Sequence, residues 1–295
     1  MSEPGGEYQL SLEQAVARLK DLPALPLVVS ELLASFDDPD VDLGQLAGKI
    51  AHDQALAAKT LRLANSSFYG LQSRVRTIGQ AIQVLGFDSV RALVVGAGVI
   101  GGFEAGREKG FDFDGFWRHA IGTALCARAL ARHASPPPGA NPELAFVAGL
   151  LHDLGRLVLV TRFPEHYAEV LARRALRDCE LLLAEREVLG IDHAQVGRAL
   201  GQHWKIPEPI CRAIANHHQP MRQDEGDLPA VVHVANVIAH GLDLSDQEDD
   251  QVPTMAQGAW DSLGLDDAAL RAVFAETEAQ FEETCQVLAA RPGKE

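Results

Sequence analysis

Apolar residues recur at intervals of three and four positions along almost the whole chain. Clear examples are residues 27–36, 43–52 and 54–64. This spacing places the apolar side chains on one face of an α-helix. Runs in which apolar and polar residues alternate, as a half-buried β-strand requires, are scarce. The sequence therefore predicts an all-α protein.

The predicted helix starts carry capping signals. Ser11 and Thr77 are each followed, three positions later, by a glutamine. In this capping-box pattern the hydroxyl and the glutamine side chain each bond a backbone amide that the helix leaves unpaired. Asp42 and Gln45 form a looser version of the same pattern. We expect helices to begin directly after these capping residues.

We expect three helical segments along the chain. Five glycines in residues 101–115 are too many for a stable helix and predict an internal boundary. The first segment, 8–105, is an N-terminal helical bundle, and the second, 111–242, is another bundle. The third, 254–290, is a C-terminal helical extension. Residues 243–253 are charged and poor in apolar side chains, which predicts a solvated linker.

The C-terminal extension is amphipathic and its surroundings are acidic. Between Asp243 and Glu283 the sequence has twelve acidic residues and a single base, Arg271. An apolar stripe at helical spacing consists of Leu270, Val273, Phe274, Thr277, Phe281, Cys285 and Leu288. The stripe predicts a helix that packs on the protein itself, and a surface for a partner is the alternative.

The overall charge and the N-terminal sequence limit the classes of partner. A net charge of -15 argues against sequence-independent binding of nucleic acid, which needs Lys and Arg to neutralise phosphates. The N-terminus lacks the basic and apolar regions of a signal peptide, and no apolar run approaches the roughly 20 residues of a membrane span. The four cysteines are far apart and form no CxxC pair, which is typical of a reducing compartment. We expect a cytoplasmic protein.

Residues 96–101 match the pattern G-x-G-x-x-G of dinucleotide-binding folds. That fold also needs a preceding strand, a helix that opens at the glycines and a second parallel strand. The glycine-rich segment that follows and the absence of a parallel-strand pattern make this interpretation unfavourable. The alternative is a helix from Ser89 onward whose glycines allow close packing.

An adjacent histidine and aspartate, His152 and Asp153, lie in the apolar run LAFVAGLLHDLGRLVLV, and His119 lies on an earlier predicted helix. Imidazoles combined with a carboxylate suit Fe, Mn, Zn or Ni. Such an ion lowers the pKa of a bound water and polarises a phosphoryl oxygen. These three residues are therefore candidate metal ligands. The alternative is a buried polar cluster that pins helices together.

The chain resembles the HDOD family, a divergent branch of the HD phosphohydrolase superfamily found in bacterial signalling proteins. The resemblance runs from Leu22 to about Ala239. It is carried by LPALPLVVSELLASFDDPDVDLGQLAGKIAHDQALAAKTLRLANSSFYGL, IGQAIQVLGFDSVRALV, FWRHA, LAFVAGLLHDLGRLVL, FPEHY, DHAQVGRAL, WKIP and AIANHHQP. The resemblance implies an N-terminal helical bundle packed on an HD-like helical bundle, and a regulatory role.

Catalytic HD relatives use a histidine, a His-Asp pair and a later aspartate as metal ligands. The resemblance places His119, His152 and Asp153 at the first three positions and Asn236 at the last. An amide supplies at best a neutral oxygen ligand, so we expect any divalent ion, whether Fe, Mn, Ni or Zn, to be weakly held.

Four neighbouring residues have both a functional and a structural interpretation. Arg156 replaces the lysine that relatives usually carry, and either contacts an anionic ligand or pairs with a carboxylate. His217 and His218 match a histidine pair of cyclic-dinucleotide hydrolases, although the GYP signature is missing; alternatively, they stabilise the end of a helix. His193 matches a further histidine, and alternatively orients the turn after Gly190.

These observations favour a non-catalytic regulatory module that acts through signalling proteins, such as response regulators or cyclic-dinucleotide enzymes, and binds a small anionic ligand. The alternative is a metal-dependent phosphohydrolase or cyclic-dinucleotide phosphodiesterase with an incomplete site. In that enzyme His152, Asp153 and Arg156 would carry the reaction. Neither hypothesis involves nucleic acid or a membrane.

Overall fold

All regular elements in the described part of the chain are helices. The structure, a computed structural model, describes residues 8–22, 24–36, 42–66, 74–103, 111–135, 141–220, 227–246 and 251–289. Within these ranges there is no strand. The prediction of an all-α protein is confirmed.

The helices follow one another in this order: α1 (Leu12–Leu19), α2 (Leu27–Ala34), α3 (Leu43–His52), α4 (Gln54–Ala64), α5 (Ile78–Leu85), α6 (Phe87–Gly102), α7 (Phe113–His133), α8 (Pro142–Leu151), α9 (Leu154–Arg162), α10 (Pro164–Arg177), α11 (Leu181–Leu189), α12 (His193–His203), α13 (Glu208–Asn216), α14 (Leu228–Gly241), α15 (Gln257–Ser262) and α16 (Asp267–Leu288).

The predicted capping residues lie at helix starts. At α1 the Ser11 hydroxyl accepts from the amide of Gln14, and the Gln14 side chain accepts from the amide of Ser11, which completes the capping box. At α5 the Thr77 hydroxyl accepts from the amide of Gln80, but the Gln80 side chain accepts from the amide of Arg76 instead. The start of α5 is as predicted, and the reciprocal bond is shifted by one residue.

The G-x-G-x-x-G motif lies inside α6, so the dinucleotide-binding interpretation is wrong. The glycines of this helix allow close packing instead. A Cβ added at Gly98 would overlap the side chain of Val29 on α2, and one at Gly96 would lie 3.1 Å from the Leu150 side chain on α8. These glycines let α6 approach helices on both sides.

The glycine-rich boundary is shorter than predicted. Helix α6 continues to Gly102 and α7 already begins at Phe113, so both ends of the expected loop 101–115 are helical. Asp112 caps α7 by accepting from the amide of Gly115. Packing and capping outweigh the weak helix propensity of these glycines. Residues 104–110, the middle of the predicted loop, lie outside the described residues.

Helix α7 is the central element of the second half. It packs against α8, α14 and α16, while α9 packs against α12, and α12 against α13. Helix α6 packs against α2, α4 and α5 of the first half and against α8 of the second half. Helix α1 packs on α12 and α9, and the amide of Leu10 donates to the carbonyl of Leu189.

The C-terminal helix α16 docks on the protein itself. Its apolar stripe packs against α7, where Val273, Phe281 and Leu288 are buried. An ion pair and a hydrogen bond flank this contact. Arg118 Nη2 lies 2.7 Å from Glu282 Oε1, and His133 Nε2 lies 2.6 Å from Glu276 Oε1. A further polar contact between the two helices is buried, in which Arg128 donates to the Gln280 side chain. The expectation of packing in cis is confirmed.

The prediction of a solvated linker over residues 243–253 is wrong at its first described end. Leu244 and Ser245 are buried, and Leu244 fills the space that Gly122 leaves on α7. Residues 247–250 lie outside the described residues. A single leucine in a charged segment gives little signal in the sequence, although it anchors the segment here.

The expectation that no apolar run approaches the length of a membrane span is wrong, because the stretch Pro142–Arg162 is long and apolar enough to cross a membrane by length and composition alone. In the structure it consists of α8 and α9, and 83% of its apolar window is buried against other helices. This burial is typical of helices in a protein core.

We expect Gly155→Ala to destabilise the protein strongly. A Cβ at this position in α9 would overlap the carbonyl oxygen of His193 and lie 2.6 Å from the amide nitrogen of Gly197, both on α12. Because the obstructing atoms are backbone, α9 and α12 must move apart, at a cost of about 3 kcal/mol or more. Urea unfolding would measure the loss.

Gly48→Ala is the matched control. Gly48 lies in the middle of α3, and an added Cβ there meets nothing within 4 Å. Its replacement should raise the free energy of unfolding by about 0.5–1 kcal/mol, because alanine restricts the unfolded chain. If Gly155→Ala unfolded at the same urea concentration as the native protein, the close contact between α9 and α12 would be incorrect.

Candidate metal centre

His152 and Asp153 form the turn between two helices. Helix α8 ends at Leu151 and α9 begins at Leu154, so the apolar run that contains the His-Asp pair forms two helices and not one. The His152 Nδ1 donates to the carbonyl of Gly149 at 2.6 Å. Both side chains are buried, and the turn directs them towards α12 and α7.

The four residues of the predicted metal site converge from three parts of the fold. His119 is buried in α7, and its Nε2 lies 3.4 Å from the Nε2 of His152. Asn236 is buried on α14 and lines the same cavity as His119 and Asp153. The structure therefore brings together all four residues that the resemblance selected.

Three further histidines lie next to Asp153. His193, the first residue of α12, places its Nε2 3.2 Å from Asp153 Oδ1. His217 follows α13, and its Nε2 is 3.5 Å from the same oxygen. The His218 Nε2 lies 2.9 Å from His193 Nε2. The structural roles considered for these histidines are therefore incomplete, because all three side chains face the His-Asp turn.

Two groups of potential ligands result, and Asp153 touches both. The first group is His119, His152 and Asp153; the second is His193, His217 and His218. Within each group the ligand atoms all lie within 4.8 Å of one another. Asp153 belongs to the first group, and its Oδ1 contacts two histidines of the second.

Hydrogen bonds fix the orientation of three imidazoles. The Nδ1 of His152 and of His217 donate to the backbone carbonyls of Gly149 and Ile214, at 2.6 and 2.8 Å. The His193 Nδ1 donates to Glu185 Oε2 at 2.6 Å. Since carbonyl and carboxylate oxygens only accept, each Nδ1 carries a proton. Each Nε2 is then turned towards the other ligands, as metal-binding histidines require.

Facing Nε2 atoms need a cation or a proton between them. The pairs His119–His152 and His193–His217 are each separated by 3.4 Å, and two lone pairs facing at this distance would repel. A neutral His119 that carries its proton on Nε2 avoids this repulsion by donating to His152. In the metal-free protein a proton on His193 relieves part of this repulsion. Burial alone would lower the pKa of His193, but Glu185 and Asp153 outweigh it and raise the pKa to about 10.

Four other potential ligands, His119, His152, His218 and Asp153, have the charge states that a metal needs. Burial lowers the pKa of His152 to about 4, and that of His119 well below its usual value. Burial also lowers the pKa of His218. Burial alone would raise the pKa of Asp153, but the neighbouring histidines and Arg156 hold it well below its usual range. At neutral pH these are neutral imidazoles around an ionised carboxylate.

Arg156 pairs with Asp153. Its Nη1 donates to Asp153 Oδ2 at 2.9 Å, and the guanidinium lies 5.6 Å from the centre of the Phe116 ring. Asp153 Oδ1 is left for the histidines. The ion pair considered for Arg156 is therefore present, and it holds the carboxylate in place.

A small cavity of about 50 Å³ adjoins the ligand groups. This is room for a few water molecules. Gln251 and Pro253 line the cavity together with residues of the metal site. The segment is tied down by Gln251, whose Nε2 donates to Asp178 Oδ1 at 2.5 Å, and by Ala256, whose amide donates to His233 Nε2 at 2.8 Å.

The residues present fit a transition metal. His119 Nδ1 and Asn236 Oδ1 are buried and have no hydrogen-bond partner among the described residues. Buried polar atoms are normally paired, so these two atoms stand out. The donor set of imidazole nitrogens with one carboxylate and one amide oxygen suits Fe, Mn, Zn or Ni.

Two residues of the site were missed in the sequence analysis. Glu185 is completely buried on α11 and accepts from both the Nδ1 and the amide of His193. His240 lines the cavity, and its ring centre lies 4.2 Å from that of His119. A glutamate amid apolar residues gives no distinct signal. The four-residue spacing of Asn236 and His240 on one helix face could have identified His240.

We expect Glu185→Gln to destabilise the metal-free protein by about 3 kcal/mol, because it leaves the buried charge of His193 without one of its two anionic partners. Denaturant unfolding in the presence of a chelator would measure the loss. Glu187→Gln is the control on the same helix, since Glu187 is exposed and pairs with Arg173. That change should stay within about 1 kcal/mol. Equal effects of the two changes would contradict a buried ion pair at Glu185.

Comparison with known proteins identifies two relatives, each matched over less than half of its own length. An uncharacterized protein of Treponema pallidum (strain Nichols) is 29% identical over 221 residues, which are 74% of this chain and 42% of that protein. An uncharacterized protein of Lactococcus lactis subsp. cremoris is 30% identical over 96 residues, which are 32% of this chain and 46% of that protein. The chain thus spans less than half the length of these relatives.

Solved structures share the fold along nearly the whole chain. An HDOD domain protein from Geobacter sulfurreducens has a TM-score of 0.74 at 24% identity, covering 94% of this chain and 98% of that one. A candidate phosphohydrolase from Shewanella amazonensis SB2B has a TM-score of 0.72 at 28% identity, covering 93% and 97%. The family model of the HDOD domain matches residues 22–220, more than half of the sequence. The chain belongs to the HDOD domain family.

Proposed function

We propose that this chain is a regulatory module of bacterial signal transduction that binds a divalent transition metal in its HD-like cleft without turning over a nucleotide. The observation that carries the proposal is the orientation of His152, His193 and His217. In each of these imidazoles the Nδ1 is engaged by an oxygen, and the Nε2 faces the Asp153 carboxylate within 3.5 Å. A purely structural cluster does not require this common orientation.

The two ligand groups support a proposed set of metal-binding residues. His119, His152 and Asp153 would hold one ion, with the Asn236 amide as a neutral fourth donor. His193, His217 and His218 would hold a second. When bound, an ion of this kind supplies a Lewis acid and lowers the pKa of a bound water. Arg156 keeps Asp153 oriented by occupying its second oxygen.

Three observations support a role without turnover. Asn236 lacks the negative charge that would help to stabilise a dication. The cavity of about 50 Å³ is small beside the roughly 300–1,000 Å³ that is typical of ligand pockets. The guanidinium of Arg156 is already engaged by Asp153. The site therefore favours a metal ion, or a metal ion with a small anion, over a bound cyclic dinucleotide.

A metal-dependent phosphohydrolase is the second candidate. The specific observation in its favour is the pair of adjacent ligand groups around Asp153, since phosphatases and nucleases use pairs of metal ions to clamp a reacting phosphate. Arg156 and Arg174 line the same cavity and supply positive charge. The similarity to the candidate phosphohydrolase of Shewanella amazonensis also supports this function.

The proposed mode of action is contact with signalling proteins in the cytoplasm, such as response regulators or enzymes of cyclic-dinucleotide metabolism. The relative of Treponema pallidum, of which this sequence covers 42%, supports a module that works beside other domains. The two helical halves offer separate outer surfaces for such contacts.

We expect no hydrolysis of nucleotides or cyclic dinucleotides by the native chain with Mn, Fe, Ni or Zn, because the Asn236 amide replaces the carboxylate and the cavity is small. Chromatographic measurement of products would test this. Metal-dependent turnover that disappears in both His152→Ala and Asp153→Ala would establish the second candidate instead.

We expect Asn236→Asp to raise the affinity for a divalent transition metal, because it restores a charged oxygen beside Asp153 and His119. Thermal melts with increasing Mn, Ni or Zn would measure the gain. A ligand that binds only the native state adds about 2.7 kcal/mol at 100 times its Kd.

The control is Asn236→Leu, which keeps the size of the side chain but removes its oxygen, and should bind metal more weakly than the native protein. If Asn236→Asp melts at a lower temperature and ignores added metal, the added carboxylate is simply repelled by Asp153. The cluster would then be a structural one.

A further inference from the structure

We propose that His240 is a metal ligand of this chain and makes the first ion site richer in nitrogen, so that it prefers Zn²⁺ or Ni²⁺ over Mn²⁺. This inference rests on the proposed metal binding and extends it to a residue outside the four positions that the resemblance selected. His240 lies one helical turn after Asn236 on α14.

The spacing and the cavity place His240 beside the first ligand group, outside the three side chains whose ligand atoms lie within 4.8 Å of one another. Residues four positions apart in a helix lie on the same face, so Asn236 and His240 project from α14 in a similar direction. Both line the cavity that His119 and Asp153 also line. The side chain of His240 is therefore next to the position where the carboxylate is missing.

The contact with His119 supports the same assignment. The ring centres of His119 and His240 are 4.2 Å apart with an interplanar angle of 34°, and the ring centres of His119 and His152 are 5.3 Å apart. Three imidazoles are thus adjacent, and His119 lies in contact with the other two. His119 is fully buried, whereas His240 is half-buried at the edge of the site.

Ligand chemistry gives the expected selectivity. Replacing an aspartate by Asn236 removes a hard, charged oxygen, which Mn²⁺ favours. An imidazole restores the number of ligands but not the charge, and imidazole suits Zn²⁺ and Ni²⁺. The asparagine at position 236 and the histidine at position 240 then act together, since each shifts the metal preference of the site from Mn²⁺ towards Zn²⁺ and Ni²⁺.

The test compares metal binding by the native chain, His240→Ala and His240→Gln, each stripped with chelator and titrated with Zn²⁺, Ni²⁺ or Mn²⁺ separately. The readouts are bound metal per chain and the shift in melting temperature. We expect both variants to lose at least about tenfold in Zn²⁺ and Ni²⁺ affinity, since even disturbing a neighbour of a ligand costs about 10–100-fold. The affinity for Mn²⁺ should change by less.

His203→Ala is the control, because His203 is an exposed histidine at the end of α12. It should leave all three affinities unchanged. Substitution of Co²⁺ gives a second readout, since its visible absorption reports the number of nitrogen ligands. We expect His240→Ala to change this spectrum and His203→Ala to leave it unchanged.

The double variant Asn236→Asp/His240→Ala tests the coupling between the two positions. It should bind the three metal ions more tightly than His240→Ala does. Its ratio of Zn²⁺ to Mn²⁺ affinity should fall below that of the native protein. If the native chain binds metal and His240→Ala binds Zn²⁺ and Ni²⁺ equally well with the same Co²⁺ spectrum, the role of His240 is refuted. If the native chain binds none of the ions, the proposed function itself fails.

Discussion

Asp153 is a buried carboxylate, and a buried anion is stable only where positive charge and hydrogen-bond donors surround it. Arg156 donates to one of its oxygens, and His193 and His217 face the other. These partners belong to α9, α12 and the residues after α13, so the charge of one side chain holds several elements in register. The contact depends in turn on Gly155, because α12 approaches α9 at a position where no side chain fits.

The same carboxylate links the metal-free and metal-bound forms of the cluster. Without metal, the protonated ring of His193 lies between Asp153 and Glu185. Its Nε2 faces Asp153 and its Nδ1 faces Glu185, and the ring supplies the positive charge that the site needs. A dication would supply that charge instead and would require the His193 Nε2 as a lone-pair donor. Proton and metal therefore compete for one group of side chains, and Glu185 stabilises His193 in either form because it accepts from Nδ1.

Local signals in the sequence predicted the helices and four residues of the site. Capping at Ser11 and Thr77 and the His152-Asp153 pair are features of neighbouring residues. The role of His217 is different, because its position after α13 also fits a histidine that stabilises the end of a helix. Its contact with Asp153 joins residues 64 positions apart and depends on the packing of α9, α12 and α13. The four-residue spacing of Asn236 and His240 is visible in the sequence. It indicates a shared site only when Asn236 is known to face a cavity.

The C-terminal extension and the metal site share a buried imidazole. The Nδ1 of His233 donates to the carbonyl of His217, and its Nε2 accepts from the amide of Ala256. Both bonds require the neutral ring, and burial lowers the pKa of His233, which favours that form. Gln251 and Pro253, which precede Ala256, line the cavity beside the candidate ligands. The docked extension and the backbone of His217 are therefore joined through one neutral ring.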